Sequence, residues 1–207
     1  MRDAEAVPVI PLYEINGHST SPMGMPMCQN RLAVPTWSYA MEVLPPARIV
    51  EIGSYNGALA TALGLHARVI GAKVVTYDIN AQSESIVPIG LALGVDFRVG
   101  SCWDRQVEIG ELITSPGVSF VLCDGGDKPR ELETFARYCK PGDVIAAHDF
   151  DMYGDTPEEM APPQLQRPWP WSEVRARDGR RIAEAHGLSP WMQNYFDLAG
   201  WLVYRKA

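Results

Sequence analysis

The chain lacks any long hydrophobic run. Nowhere in its 207 residues is there a stretch approaching the ~18 apolar residues needed to cross a bilayer, and Met1–Pro11 has no apolar leader segment. A cytoplasmic protein with no membrane partner is the expectation. Cysteine is sparse. Cys28, Cys102, Cys123 and Cys139 include no pair at C-x-x-C spacing, which argues against a thiolate zinc site and leaves four free thiols as the expectation. Positive charge is also short: 18 Lys and Arg against 25 Asp and Glu leave a net charge of −7. A phosphate backbone is repelled by such a surface, so nucleic acid is not the expected partner. The basic stretch over residues 164–187 reads as a solvated helix face. What the chain has in excess is proline, with 17, and tryptophan, with 6. Ten of the prolines fall within residues 1–35 and 150–171, where no helix or strand period can be found.

Between those stretches the texture is regular. Apolar, β-branched runs at Arg48–Ile52, Lys73–Tyr77, Val95–Val99, Val118–Cys123 and Asp143–Ala147 predict five strands. They alternate with helical patterns at Ala58–His66, Ile86–Leu93, Asp104–Ile113 and Leu132–Cys139. Such alternation predicts an α/β fold, an open, mostly parallel sheet with helices on both faces. The expected layout is one domain. An arm and a short helix (Trp37–Leu44) occupy 1–46, the core 47–150, a lid-like loop 150–171, and a helix with a strand pair 172–207. In the last part a helix from Ser172 to His186 stops at Gly187, and a strand over Leu198–Arg205 pairs with one near Met192–Phe196.

Ligands of such sheets bind beyond the carboxyl ends of the strands, so the residues just after each strand carry the information. After the first comes Glu51-Ile52-Gly53-Ser54-Tyr55-Asn56-Gly57, with G-x-x-x-G spacing in place of the dinucleotide G-x-G-x-x-G. Gly53 permits close backbone approach to a ligand, or simply a tight turn; Gly57 permits tight helix packing. Asp78 follows the second strand and can accept hydrogen bonds from a ribose diol or cap a turn. After the third, Ser101 and neighbouring backbone can read an adenine edge, and Trp103 can cover the ring or fill the core. Asp124 follows the fourth strand and His148-Asp149 the fifth. Two carboxylates and an imidazole on one rim can bind a divalent cation or place a base beside a substrate hydroxyl. His18, His66 and His186 have no such support.

The runs Val50–Gly57, Tyr77-Asp78-Ile79-Asn80 and Cys123-Asp124-Gly125-Gly126 resemble class I S-adenosylmethionine-dependent methyltransferases. The chain is most similar to the cephalosporin hydroxylase and rhamnosyl O-methyltransferase group. The resemblance covers about residues 47–150. It implies a Rossmann-like sheet of about seven strands ending in an antiparallel strand, and O-methylation of a small-molecule hydroxyl on a sugar, glycoside or natural product. Glu51, Gly53, Ser54 and Gly57 would surround the methionine moiety and Asp78 the ribose, with Tyr55 and Asn80 also in the cofactor site. Ser101, Cys102 and Trp103 would frame the adenine, with Asp124 beside it. Metal-dependent members hold Mg²⁺ with a carboxylate after strand four and an acidic pair after strand five. Asp124 matches the first, but His148-Asp149 puts imidazole where one carboxylate is expected, and Mg²⁺ prefers oxygen. His148 is then the expected general base, with Asp124 and Asp149 binding metal or orienting the acceptor.

Three other readings compete. Asp149-Phe150-Asp151 has the D-x-D form of a glycosyltransferase metal motif. A nicotinamide dehydrogenase lacks its middle glycine here. A non-catalytic binding subunit would use the fold for protein contacts. Met23, Met25, Met27, Tyr153, Trp169 and Trp171 suit a lid over the acceptor or a subunit interface, and a homo-oligomer is expected. Gln29 is placed to reach cofactor or acceptor.

Overall fold

The computed structural model describes residues 27–151 and 173–207, together with a two-residue antiparallel pairing of β1 (Glu14–Ile15) with β2 (His18–Ser19). The expectations for Met23, Met25, Tyr153, Trp169 and Trp171 fall outside the described residues.

Helix α1 (Ala33–Val43) begins four residues earlier than expected. Pro35 sits in its first turn, where the missing N–H has no intrahelical partner to lose. Strand β3 (Arg48–Ile52) leads into α2 (Ala58–Ile70), which runs past His66 until Gly71 stops it in a left-handed conformation. Then follow β4 (Lys73–Asp78), α3 (Val87–Ala92), β5 (Val95–Val99) and α4 (Gln106–Thr114). After β6 (Ser119–Cys123), α5 (Lys128–Ala136) ends before Cys139, which is buried in the following turn. Strand β7 (Val144–His148) is followed by β8 (Phe150–Asp151), which pairs in parallel with β9 (Val174–Arg175). Helix α6 (Ala176–His186) starts later than expected; Ser172 lies outside the described residues.

The C-terminal strand pair differs from expectation. Its partners are β10 (Leu188–Pro190) and β11 (Trp201–Lys206), while Gln193–Phe196 forms the short helix α7. Two features account for this. Met192 turns the chain with φ +51°. The Gln193 side-chain amide then takes the ladder positions of β11, donating to the Trp201 carbonyl (2.8 Å) and accepting from Val203 N–H (2.9 Å).

The sheet order is β10-β11-β7-β6-β3-β4-β5, with β3 to β7 parallel and β11 antiparallel to both neighbours. The fold class therefore matches the expected α/β sheet. Strands β3, β6 and β7 are buried at every residue, the position of central strands covered on both faces, and β3 carries Arg48 and Glu51 into that interior. Alternate side chains feed two cores. Val50, Val121 and Ile145 pack on one face with Phe135 of α5 and Ile182 of α6. Ile49, Phe120 and Val144 pack on the other with Trp37 of α1 and Leu63 of α2. Trp37 meets Phe196 at 4.5 Å and Trp201 at 5.4 Å between ring centroids. Part of the tryptophan excess is thus core, not lid. The chain direction reverses at β3, whose neighbours β4 and β6 lead to opposite sheet edges, so a crevice opens beyond the ends of β3 and β6.

Candidate functional site

A cleft of about 870 Å³ lies in that crevice. Gly53, Tyr55, Asp78, Asn80, Ser101, Cys102, Trp103 and Asp124, all expected near a cofactor, line it. Asp78, at the end of β4, is fixed by the backbone. Its Oδ2 accepts from Tyr55 N–H (2.8 Å) and its Oδ1 from Asn80 N–H (2.9 Å). Each oxygen keeps a further lone pair, so capping the turn leaves the carboxylate able to accept from a ligand in the cleft. Trp103 likewise does two things: it stacks on Phe135 of the core and carries the Arg130 guanidinium over its ring at 4.1 Å. Cys102 is buried and its thiol pKa is pushed up to about 11 by desolvation, so it lines the wall as a neutral group.

Gly53 is required by the protein itself. A Cβ there would fall 2.2 Å from the Asp124 carbonyl oxygen. The close approach is between the ends of β3 and β6, which brings Asp124 to the cleft. Gly57, expected around the methionine moiety, lines neither this cleft nor the cavity beside it; its Cβ position lies 2.8 Å from the Phe97 ring, a close packing contact at the start of α2.

A second cavity of about 330 Å³ adjoins the first, sharing Gly53, Tyr55 and Asp124 with it. Two residues expected around the methionine moiety, Glu51 and Ser54, open here instead. Glu51 lies within β3, 1% exposed. Desolvation raises its pKa to about 8, opposed by the Thr76 hydroxyl, which donates to its Oε2. Its Oε1 has no hydrogen-bond partner among the described residues. Ser54 Oγ accepts from Gln82 (2.9 Å).

Asp124, His148 and Asp149 come together as expected, their donor atoms within 4.8 Å of one another, close enough to share one ion. His148 Nδ1 lies 3.0 Å from Asp124 Oδ1 and 3.4 Å from Asp149 Oδ1, so a proton on Nδ1 donates to these carboxylates. The imidazole is 2% exposed and packs on Trp201, ring centroids 4.8 Å apart. Asp149 holds φ +57°, and Cys28 and Tyr55, which line the same cavity, hold +52° and +51°. Three non-glycine residues in the sparsely populated left-handed region around one small cavity mark a functional site.

Sequence reasoning missed two groups. Lys128, at the start of α5, turns back into the cluster and is 5% exposed. Its Nζ reaches Asp149 Oδ2 (2.9 Å), Glu173 Oε2 (2.8 Å), the Gly125 carbonyl (3.0 Å) and Asp124 Oδ1 (3.7 Å). Burial alone would lower its pKa; the carboxylates of Asp124, Asp149 and Glu173 outweigh that and raise it, keeping the ammonium charged. A signal existed, because a cation at a helix N-terminus opposes the helix dipole and needs another reason to be there. Glu131, whose carboxylate accepts from Gly125 N–H (3.0 Å) and Asp127 N–H (3.2 Å), lines the larger cleft, with its pKa raised by desolvation to about 7. Gln29 does reach the site. Its Nε2 donates to Asp124 Oδ2 (2.6 Å), and its Oε1 accepts from Trp201 Nε1 (3.1 Å).

This is the fold of solved O-methyltransferases, and the clefts lie beyond the carboxyl ends of the strands, where open α/β sheets bind ligands. The SAH form of CmcI superposes with a TM-score of 0.59 at 15% identity, covering 100% of this chain and 95% of the other. Its Mg–SAM form gives 0.55 at 18%, covering 89% and 75%. A putative caffeoyl-CoA O-methyltransferase from Staphylococcus aureus gives 0.59 at 12%, covering 86% and 84%. No protein-family model matches the sequence, and no curated protein matches it. Among the described residues no helix is long and apolar enough to cross a membrane.

Proposed function

We propose that the protein is an S-adenosylmethionine-dependent O-methyltransferase acting on a small-molecule hydroxyl. One observation carries this reading: a cleft lined by the Asp78 carboxylate and the flat Trp103 ring adjoins, at Asp124, a small cavity that holds acid–base groups. The cleft volume falls within the range of small-molecule sites. S-adenosylmethionine, when bound, supplies a sulfonium-activated methyl group, which the acceptor oxygen takes as the carbon–sulfur electrons return to sulfur. The protein's part is position and proton removal. Asp78 and Trp103 fix the donor's nucleoside end. Gln29, Asp124 and Lys128 line the acceptor cavity and orient the hydroxyl; such positioning contributes up to about 7–11 kcal/mol. Asp124 reaches both cavities, and His148 lies behind it, hydrogen-bonded through Nδ1. The acceptor proton passes to Asp124, whose carboxylate the Nδ1–H of His148 holds in place, base catalysis expected to contribute about 10²–10⁴-fold. His148 therefore serves the base in this reading, and Asp124 touches the hydroxyl. A sugar, glycoside or natural-product acceptor fits a cavity of this size and polarity.

A glycosyltransferase reading is not favoured, because Asp149, first of the D-x-D pair, is tied to Lys128 at 2.9 Å. Transfer of labelled methyl from S-adenosylmethionine to a panel of hydroxyl acceptors tests the proposal. Turnover on any acceptor supports it. A thermal shift with nucleotide sugars and none with S-adenosylhomocysteine would sink it.

A further inference from the structure

The structure assigns to Lys128 the place of a divalent cation: its ammonium is the positive charge of the acceptor cavity, and the Asp124–His148–Asp149 cluster works without a bound metal. The inference rests on the methyl-transfer reading of the site. The three side chains are near enough together to ligate an ion, but each of their carboxylate oxygens already has a donor nitrogen of the chain as its neighbour. Asp124 Oδ1 has His148 Nδ1 at 3.0 Å and Lys128 Nζ at 3.7 Å; Asp124 Oδ2 has Gln29 Nε2 at 2.6 Å. Asp149 Oδ1 has His148 Nδ1 at 3.4 Å, and Asp149 Oδ2 has Lys128 Nζ at 2.9 Å. Every oxygen that would ligate a hard cation thus faces a nitrogen of the protein.

Charge and burial argue the same way. Mg²⁺ binds oxygen at about 2.1 Å and demands near-octahedral geometry. An ion on Asp124 Oδ1 at that distance would lie no more than about 6 Å from Lys128 Nζ, with little water to screen the repulsion. Lys128 cannot readily swing away. It is anchored at four points, by Asp149, Glu173, the Gly125 carbonyl and, more loosely, Asp124. Those anchors come from the ends of β6 and β7 and from the segment entering β9, so the ammonium ties together the elements that form the cavity. Lys128 then supplies part of what a metal would: a fixed positive charge facing the acceptor oxygen, which offsets one of the three carboxylates around it.

Mn²⁺, which prefers the same oxygen donors and is visible by paramagnetic resonance, tests this directly. Wild type and Lys128→Met are titrated with Mn²⁺ up to about 1 mM in saturating S-adenosylhomocysteine. Lys128→Gln is the second variant if Lys128→Met does not fold. The expected result is no stoichiometric binding by wild type and at least about tenfold tighter binding by the variant, lost again in Lys128→Met/Asp149→Asn. Stoichiometric binding by wild type, or the same behaviour with and without Lys128, overturns the inference. Calorimetry of S-adenosylhomocysteine binding on the same samples reports separately on the methyltransferase reading, because the cofactor cleft can fail while the metal result stands.

Discussion

Gly53→Ala is the substitution whose cost the structure defines best. The residue has φ +88°, a conformation that costs a non-glycine residue about 1–2 kcal/mol. Its new Cβ would stand 2.2 Å from the Asp124 carbonyl oxygen, 2.4 Å from the carbonyl carbon and 2.6 Å from Gly125 Cα. All three are backbone atoms at the end of a buried strand, so no side chain can rotate away. Overpacking of this kind adds about 1–3 kcal/mol. The expected loss is therefore about 2–5 kcal/mol, or roughly 4–20 °C in melting temperature for a chain of this size. Gly71→Ala is the control. It has φ +75° with nothing within 4 Å of the new Cβ, so it should cost only the backbone share. Urea unfolding of both variants isolates the clash as the difference between them. S-adenosylhomocysteine affinity should fall in Gly53→Ala alone, because the displaced group is Asp124. Equal stabilities within about 0.5 kcal/mol would refute the account of how β3 and β6 meet.

Other outcomes follow from the same geometry. Trp103→Ala should weaken S-adenosylhomocysteine binding by about 1–3 kcal/mol through lost stacking, measured by calorimetry. His148→Ala should lower turnover about 10²–10⁴-fold while cofactor affinity stays within a few fold; undiminished turnover would mean that His148 does not position the Asp124 base. The raised pKa of Glu51 gives stability a definite pH dependence. The folded state holds its proton up to about pH 8, whereas the unfolded chain releases it near 4.5, so stability is fully present below 4.5 and declines as pH rises through that window. Glu51→Gln should flatten this decline in denaturant melts. An unchanged slope would mean that Glu51 is not the group responsible.

The sheet was legible because burial on both faces writes itself into composition. The runs at β3, β6 and β7 are short and mostly apolar, and each is buried at every residue. Strand-end residues were legible for the same reason, since fixing the strands fixes which residues face the crevice. Legibility ended where side chains act on distant backbone. Gln193 takes ladder positions of β11, which turned an expected strand into α7, and no local pattern announces that. Lys128 and Glu131 lie ahead of the Leu132–Cys139 helical pattern read in sequence, and only the start of α5 at Lys128, folded back toward Asp124, brings them to the two cavities. Glu51 and Ser54 follow the expected motif, yet they line the smaller cavity, while Asp78 lines the larger cleft and Tyr55 lines both.

The central claim is that the larger cleft holds the nucleoside of a methyl donor through Asp78. Calorimetric titration of S-adenosylhomocysteine into wild type and Asp78→Ala tests it most directly. The account predicts one site per chain in wild type and an affinity reduced by about 1.5–3 kcal/mol or more in the variant, the range of a hydrogen bond to a charged group. No binding by wild type up to about 1 mM, or equal binding by both proteins, would contradict it.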